Sequence, residues 1–288
     1  MLNLLYVEAY KMIRHKRLWL TALALAVFVL LLQLGFKYQA RNPLTQLAKR
    51  AEVDVDLMLN AINTSRMIIN ACYYLFFPLF TVMIFAGQIA GEKNQGTLRC
   101  VLSRPVSRSR LYSAKFLVSV GTLLGFMLFF VGITLFFGWL MFGAHEFLTS
   151  SLLFEVMKDE SRQILSFGDG VYRLFLIALL LTFLLLPPAA LAFYCSVICR
   201  SGIAAMGTAL VIFFASYVFQ GLGQAGLLQF FSDIRPYLFT TPMESWMYVF
   251  PANIQWGLIL PRATVSLVYT VCFFVAGLIH FQYQDVTE

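Results

Sequence analysis

Few residues in this chain are of a type and spacing that could do chemistry. Gly221-Leu222-Gly223-Gln224-Ala225-Gly226 matches G-x-G-x-x-G, the spacing that cradles a dinucleotide pyrophosphate where a strand turns into a helix. Here the glycines follow a long apolar run with no βαβ unit around them, so they read as a turn at a membrane surface. His15, His145 and His280 lie in separate regions, and H-E-x-x-H, G-x-S-x-G and Asp-rich metal pairs are absent from the sequence. Hydrolytic chemistry needs such groups to converge, because a nucleophile needs its base and a metal needs its ligands. G-x-x-x-x-G-K-[ST] is also absent, so the chain offers no P-loop for ATP. The five cysteines (Cys72, Cys100, Cys195, Cys199, Cys272) fall in apolar or membrane-edge settings, and Cys195 and Cys199 stand at i, i+4. That arrangement suits packing rather than metal or disulfide chemistry. Neither a catalytic residue nor a metal ligand is expected.

The elements that would position any such group are set by composition. The chain has 288 residues, 60% of them hydrophobic and 12% charged, with 29 Phe and a mean hydropathy of +0.78. A soluble domain cannot bury that much apolar surface, which leaves a polytopic membrane protein. A spanning helix needs about 20 mostly apolar residues, and six runs qualify, near 18–36, 67–89, 115–142, 173–198, 203–220 and 257–280. Lipid offers no partner for unpaired backbone groups, and these long uncharged runs suit helices rather than alternating barrel strands. The expected fold is all-α: one transmembrane domain over 1–288, with six spans. The first run lacks an A-x-A-type exit and reads as a true span rather than a cleaved leader.

Basic residues are denser in 1–17, 90–114, 199–202 and 281–288 than in the other connections, which puts both termini on the cytoplasmic side. Leu2, Leu5, Ala9, Met12 and Ile13 share a helical stripe away from Lys11, Arg14 and His15. Residues 1–17 therefore read as an amphipathic interfacial helix, the other reading being a solvated stub of the first span. Asn42-Pro43 signals a helix start, and Leu44, Leu47, Ala51, Val55, Met58 and Ile62 follow at helical spacing, a short helix on the outer surface. Asn63-Thr64-Ser65 fits a glycosylation sequon. Pro187-Pro188 should kink the fourth span, either marking a substrate path at mid-membrane or only shaping packing. Gly121 and Gly125 form G-x-x-x-G, a candidate close helix contact.

The segment 221–256 is too apolar for a solvated loop and reads as short helices dipping into the outer leaflet, with Thr241-Pro242-Met243-Glu244 as a capping box. Trp139, Trp246 and Trp256 fall where an aromatic belt would lie. Nothing titratable is expected deep in a span, and Arg173, Arg200 and Arg262 sit near span ends, where they can snorkel.

One compact basic stretch remains, GEKNQGTLRCVLSRPVSRSRL at 91–111. After Ala90-Gly91 loosens the second span, Leu98, Val101 and Leu102 share a face, with Glu92 in the first turn and Arg99 and Arg104 toward the last. Pro105 stops that helix and Ser107 can cap the next. The expectation is an elbow over 90–110 built on a helix at 92–103. An ordinary lipid-binding loop would need only scattered Lys and Arg.

The elbow resembles the cytoplasmic signature of ABC-2 type transporter permeases. The matching residues are Gly91-Glu92, Gly96-Thr97-Leu98, Leu102-Ser103-Arg104-Pro105-Val106-Ser107-Arg108 and Lys115, and the plan of the whole chain is similar, with a polar tail carrying Asp285. The tail Phe281-Gln282-Tyr283-Gln284-Asp285 departs in lacking basic residues before that Asp. The resemblance implies a bacterial inner-membrane permease subunit, not itself an enzyme. It would be coupled through Glu92, Gly96, Thr97, Leu98, Val101, Leu102, Arg104 and Pro105 to two separate ABC ATPase subunits. Those subunits would bind ATP and Mg, and the permease would pair with a second copy or a sister permease. Membrane lipids are expected partners and nucleic acid is not. Export of a hydrophobic or amphipathic substrate is expected. The alternatives are a relay of ATPase motion to an outer partner and a non-transporting scaffold.

Overall fold

The computed structural model describes residues 2–14, 16–40, 57, 59–98, 107–149, 163–226 and 229–284. The chain opens with α1 (Leu2–Arg14) and α2 (Lys16–Gly35), which a π-helical turn prolongs over Phe36–Ala40. It continues through α3 (Ala61–Tyr73), α4 (Phe76–Asn94) and α5 (Arg108–Phe142). After a two-stranded ladder come α6 (Phe167–Leu184), α7 (Leu186–Ile198) and α8 (Gly202–Gln224). The short α9 (Gln229–Ile234) and two 3-10 helices, Arg235–Tyr237 and Thr241–Val249, lead to α10 (Trp256–Tyr283). Five stretches are long and apolar enough to cross a membrane, Leu18–Tyr38, Arg108–Phe142, Phe167–Ile198, Gly202–Gln224 and Trp256–Tyr283. The pair α3–α4, bent by 58°, makes a sixth when read as one broken span. The all-α polytopic expectation therefore holds.

The second span starts at Ala61 rather than near 67, because Asn60 caps it. The Asn60 Oδ1 accepts from the Asn63 amide at 2.9 Å, meeting one of the orphan donors of a helix start. The sequon lies inside this first turn. Asn63, Thr64 and Ser65 are all buried, so Asn63 is no glycosylation acceptor. Of the expected outer-surface helix, Ile62 belongs to α3 and is fully buried, and Leu44, Leu47, Ala51, Val55 and Met58 lie outside the described residues. The 58° bend at Tyr74–Leu75 follows from Pro78. Its missing N–H leaves the Tyr74 carbonyl without a donor, and its ring crowds that carbonyl.

The fourth span breaks at Leu185, just before Pro187-Pro188, as the missing donors require. Both prolines are buried in the bundle, and the freed Phe183 carbonyl accepts from Ser266 Oγ at 3.3 Å. Beyond the break α7 seats against α4 and α10. Its core is aromatic, with Phe85, Tyr112, Phe116 and Phe193 in edge and tilted contacts. Tyr112 reaches α10, where its hydroxyl lies so close to Gly277 that any added Cβ would overlap it.

α5 is 35 residues long, which at 1.5 Å per residue spans about 52 Å and outruns a hydrocarbon core of about 30 Å. Near its C-terminal end Gly138 meets α3 backbone to backbone: an added Cβ would stand 3.1 Å from the Ala61 carbonyl oxygen. Gly121 and Gly125 make no such contact, since an added Cβ at either would meet nothing within 4 Å. Among the described residues of this chain, the G-x-x-x-G pair therefore packs against no other helix.

The segment before the last span does fold as short helices. The expected capping box is not formed, however. The Thr241 hydroxyl donates to the Arg235 carbonyl at 2.6 Å, and Glu244 is held by Gln220 at 2.6 Å and Arg235 at 3.1 Å. With both side chains taken, Thr241–Val249 winds as a 3-10 helix. Trp246 is buried against Tyr73 and Phe250 rather than placed in a belt; Trp139 and Trp256 are exposed. The ladder, Phe147–Leu148 paired antiparallel with Ile164–Leu165, was not expected from sequence.

Candidate functional site

α4 does not loosen at Ala90-Gly91. It runs on to Asn94, so Glu92 lies in its last turn rather than in the first turn of a new helix. Gly96 ends it with φ +68, while the Gln95 and Gly96 amides donate to the Gly91 and Lys93 carbonyls at 3.2 and 3.1 Å. This is the left-handed stop that glycine takes without a Cβ penalty. Helical backbone resumes at Thr97 and Leu98, which corrects the expected helix start at 92.

A carboxylate in a last turn opposes the helix dipole and needs compensation. Lys115, eight residues into α5, supplies it: its Nζ lies 2.8 Å from Glu92 Oε1 and 2.9 Å from Glu8 Oε2. Lys11 closes the cluster, 3.0 Å from Glu8 Oε1 and 3.4 Å from Glu92 Oε1. Two acids and two bases thus bind α1, the end of α4 and the start of α5 together. The Lys115 side chain is 1% exposed and that of Glu8 5%, against 19% for Glu92 and 45% for Lys11. Burial alone would push the Glu8 carboxyl up. The Lys115 charge and hydrogen bond, then those of Lys11, outweigh it and hold the carboxyl below its ordinary value. Burial likewise works to lower Lys11, and its hydrogen bond to Glu8 and the Glu92 charge raise it instead. Glu92 Oε2 has no hydrogen-bond partner among the described residues.

Further contacts tie the neighbouring ends. Lys93 Nζ donates to the Val197 carbonyl at 3.0 Å near the end of α7, and Thr97 Oγ1 to the Glu92 carbonyl at 3.3 Å. Arg108 Nη1 donates to the carbonyls of Gln282 and Gln284 at 3.0 and 2.7 Å, holding the end of α10 to the start of α5. Ser107 stands at the N-cap of α5 with extended backbone but makes no side-chain cap bond; Ser109 instead accepts from Gln282 Nε2 at 2.7 Å.

Of the expected coupling residues, the structure places Glu92, Gly96, Thr97 and Leu98 at this end of the bundle. Val101, Leu102, Arg104 and Pro105 lie outside the described residues. Gly96 and Thr97 are exposed, whereas Leu98 is 1% exposed and packs into the protein's own core. Leu98 therefore anchors the segment instead of offering itself to another chain. Glu8 was missed as a site residue. The available signal was its position on the apolar stripe, one turn from Leu5 and from Met12. Arg173 does not snorkel. Its guanidinium donates to the Val249, Pro251 and Ala252 carbonyls at 2.6, 2.6 and 2.8 Å, so an ionisable group sits inside the bundle after all. Arg66 is buried as well, over the Phe250 ring at 4.6 Å, and Arg262 stacks on Tyr248. The described cysteines are free, and among the described residues no group of three His, Cys, Asp or Glu could hold a metal.

A multi-pass helical bundle with a long entry helix and a charge cluster at one end defines a polytopic membrane protein. The model of the ABC-2 family transporter proteins matches residues 2–286, and the chain belongs to that family. It is a permease subunit of an ABC transporter, the transmembrane part and not the ATPase, and its family implies association with an ABC ATPase. No curated protein matches the sequence.

Proposed function

We propose that this chain is the permease half of an ATP-driven exporter of hydrophobic or amphipathic cargo in a bacterial inner membrane, with both termini cytoplasmic. Two ATPase subunits binding ATP and Mg dock beneath two permeases, either two copies of this chain or this chain and a sister. The ATPase groove receives the segment that begins at Thr97. Val101 and Leu102 form its apolar contact, Arg104 and Glu92 fix its charge, and Pro105 sets its angle.

The observation that carries this reading is the Glu8–Lys115–Glu92–Lys11 cluster at the end of α4, whose Glu92 carbonyl accepts from Thr97 where that segment begins. A push on the segment reaches the last turn of α4, and the charge pairs pass it to α1 and α5 as a rigid unit. Buried charges are costly to separate, so the four residues move together rather than one at a time.

The test is Glu92→Gln in the assembled transporter, reconstituted in vesicles with an amphipathic cargo chosen by its stimulation of hydrolysis. ATP hydrolysis should continue while cargo movement falls, with normal insertion and expression. A variant that moves cargo at the parent rate per ATP would sink the coupling role.

A further inference from the structure

Beside the charge cluster, α1, α2 and α5 leave a groove of about 750 Å³ between them. Its lining is almost entirely carbon, with Ala9 and Ile13 from α1, Leu18 and Trp19 from α2, and Gly121 and Gly125 from α5. The two glycines are one turn apart, and an added Cβ at either would meet nothing within 4 Å. They bare the α5 backbone as the floor of the groove. At the rim, Trp19 is 62% exposed, and its indole N–H donates to the Ile13 carbonyl at 2.7 Å, fixing the corner where α1 turns into α2.

That corner carries Arg14 and Lys16, both exposed and both lying in sequence between the lining residues Ile13 and Leu18. The Arg14 guanidinium rests over the Tyr10 ring at 4.8 Å. Among the described residues neither Arg14 nor Lys16 is ion-paired, since the nearby acids Glu8 and Glu92 are taken by Lys115 and Lys11. An apolar slot whose α1–α2 corner carries two exposed cations, next in sequence to its lining residues rather than among them, matches an acyl chain followed by a phosphate. Basic pockets between helices at a membrane face select anionic headgroups in the same way.

We infer that this groove binds one anionic phospholipid, its acyl chain against Gly121 and Gly125 and its phosphate beside Arg14 and Lys16. A second copy of the chain is a poorer occupant. A two-fold contact sets a patch against itself, which would bring Arg14 and Lys16 toward the same cations with no acid to meet them.

Quenching of Trp19 by brominated lipid tests this directly, using the purified full-length chain in phosphatidylcholine vesicles and taking the Trp19→Phe protein as background. At equal mole fraction, brominated phosphatidylglycerol should quench Trp19 more strongly than brominated phosphatidylcholine. Each of Arg14→Gln and Lys16→Gln should cut that preference about five-fold, the worth of one basic residue at an anionic surface. Gly125→Leu or Gly121→Leu, each filling open space, should abolish the preference with the charges intact and the melting temperature kept. Equal quenching by both lipids would overturn the inference, as would a preference that survives both glycine fillings. Trp19 shielded from both lipids, with a cysteine at position 23 cross-linking two copies, would assign the groove to a second chain instead.

Discussion

Replacing Lys115 with Met removes the buried one of the two cations that touch both carboxylates while keeping most of the length of the side chain. Glu8, whose side chain is 5% exposed, would then face only Lys11, and Glu92 would share that same Lys11 at 3.4 Å. Removing one partner of a buried pair costs about 3–5 kcal/mol. The lower end, about 3 kcal/mol, applies here, because Glu92 opens to the surface and Lys11 stays in place. That shifts the docking equilibrium of α1 on α5 about 150-fold toward release. The detached α1 would still lie on lipid as an amphipathic helix, so helix content is a poor readout. Pulsed electron–electron distances between spin labels at Tyr6 on α1 and Leu140 on α5, both strongly exposed, report docking itself. A narrow distance distribution in the parent should broaden in Lys115→Met. Adding Glu8→Gln should recover part of the stability, since it removes the stranded charge, with a coupling of at least about 1 kcal/mol in the double-mutant cycle. An unchanged distance distribution together with an unchanged melting temperature in Lys115→Met would refute the claim that this cluster holds α1 down.

The same cluster sets a pH dependence. Glu8 is held below its ordinary value of 4.5, so its contribution is present above that value and is lost as pH falls through the lowered one. Lys11 is raised above 10.5, so its contribution is present below that value and is lost only in strong base. The difference in melting temperature between the parent and Glu8→Gln should therefore be flat near neutrality and vanish in acid below about 4.5. Arg173→Met should destabilise the 3-10 segment by about 3 kcal/mol by stranding three carbonyls, seen as faster hydrogen exchange over 241–252. Gly277→Ala should lower the melting temperature by wedging α10 from Tyr112, and Tyr112→Phe, which removes the hydroxyl in the way, should restore part of it.

The spans were legible because length and hydropathy decide them, and the lipid solvent leaves helices as the solution. The Leu185 break was legible for the same kind of reason, since Pro187 and Pro188 remove donors whatever surrounds them. The larger bend at Tyr74–Leu75 was signalled by Pro78, four residues downstream, but that proline lay inside a strong apolar run that masked it. The start of the helix expected at 92–103 was misread because Gly91 looked like a helix end. In fact Gly96 supplies the left-handed turn, and a Cβ added at Gly91 would meet nothing within 4 Å. The burial of Lys115 and Glu8 could not be read from either helix alone. Each sits on an otherwise apolar face and makes physical sense only once α1 and α5 meet. The capping box at Thr241 failed for the converse reason, as Gln220 and Arg235 from other elements claim Glu244 more strongly than the local backbone does.

The two halves of the broken span are fastened to one straight member. Near the N-terminal end of α5 Glu92 on α4 is pinned to Lys115, and near its C-terminal end α3 lies backbone to backbone against Gly138. α5 is thus a strut across an elbow, and the 58° angle can change only if one fastening slips or the strut itself tilts. Tilting a rod of about 52 Å by about 10° around its middle carries each end about 4–5 Å in opposite senses. A displacement at one end of the bundle can therefore appear at the other without any helix having to bend further.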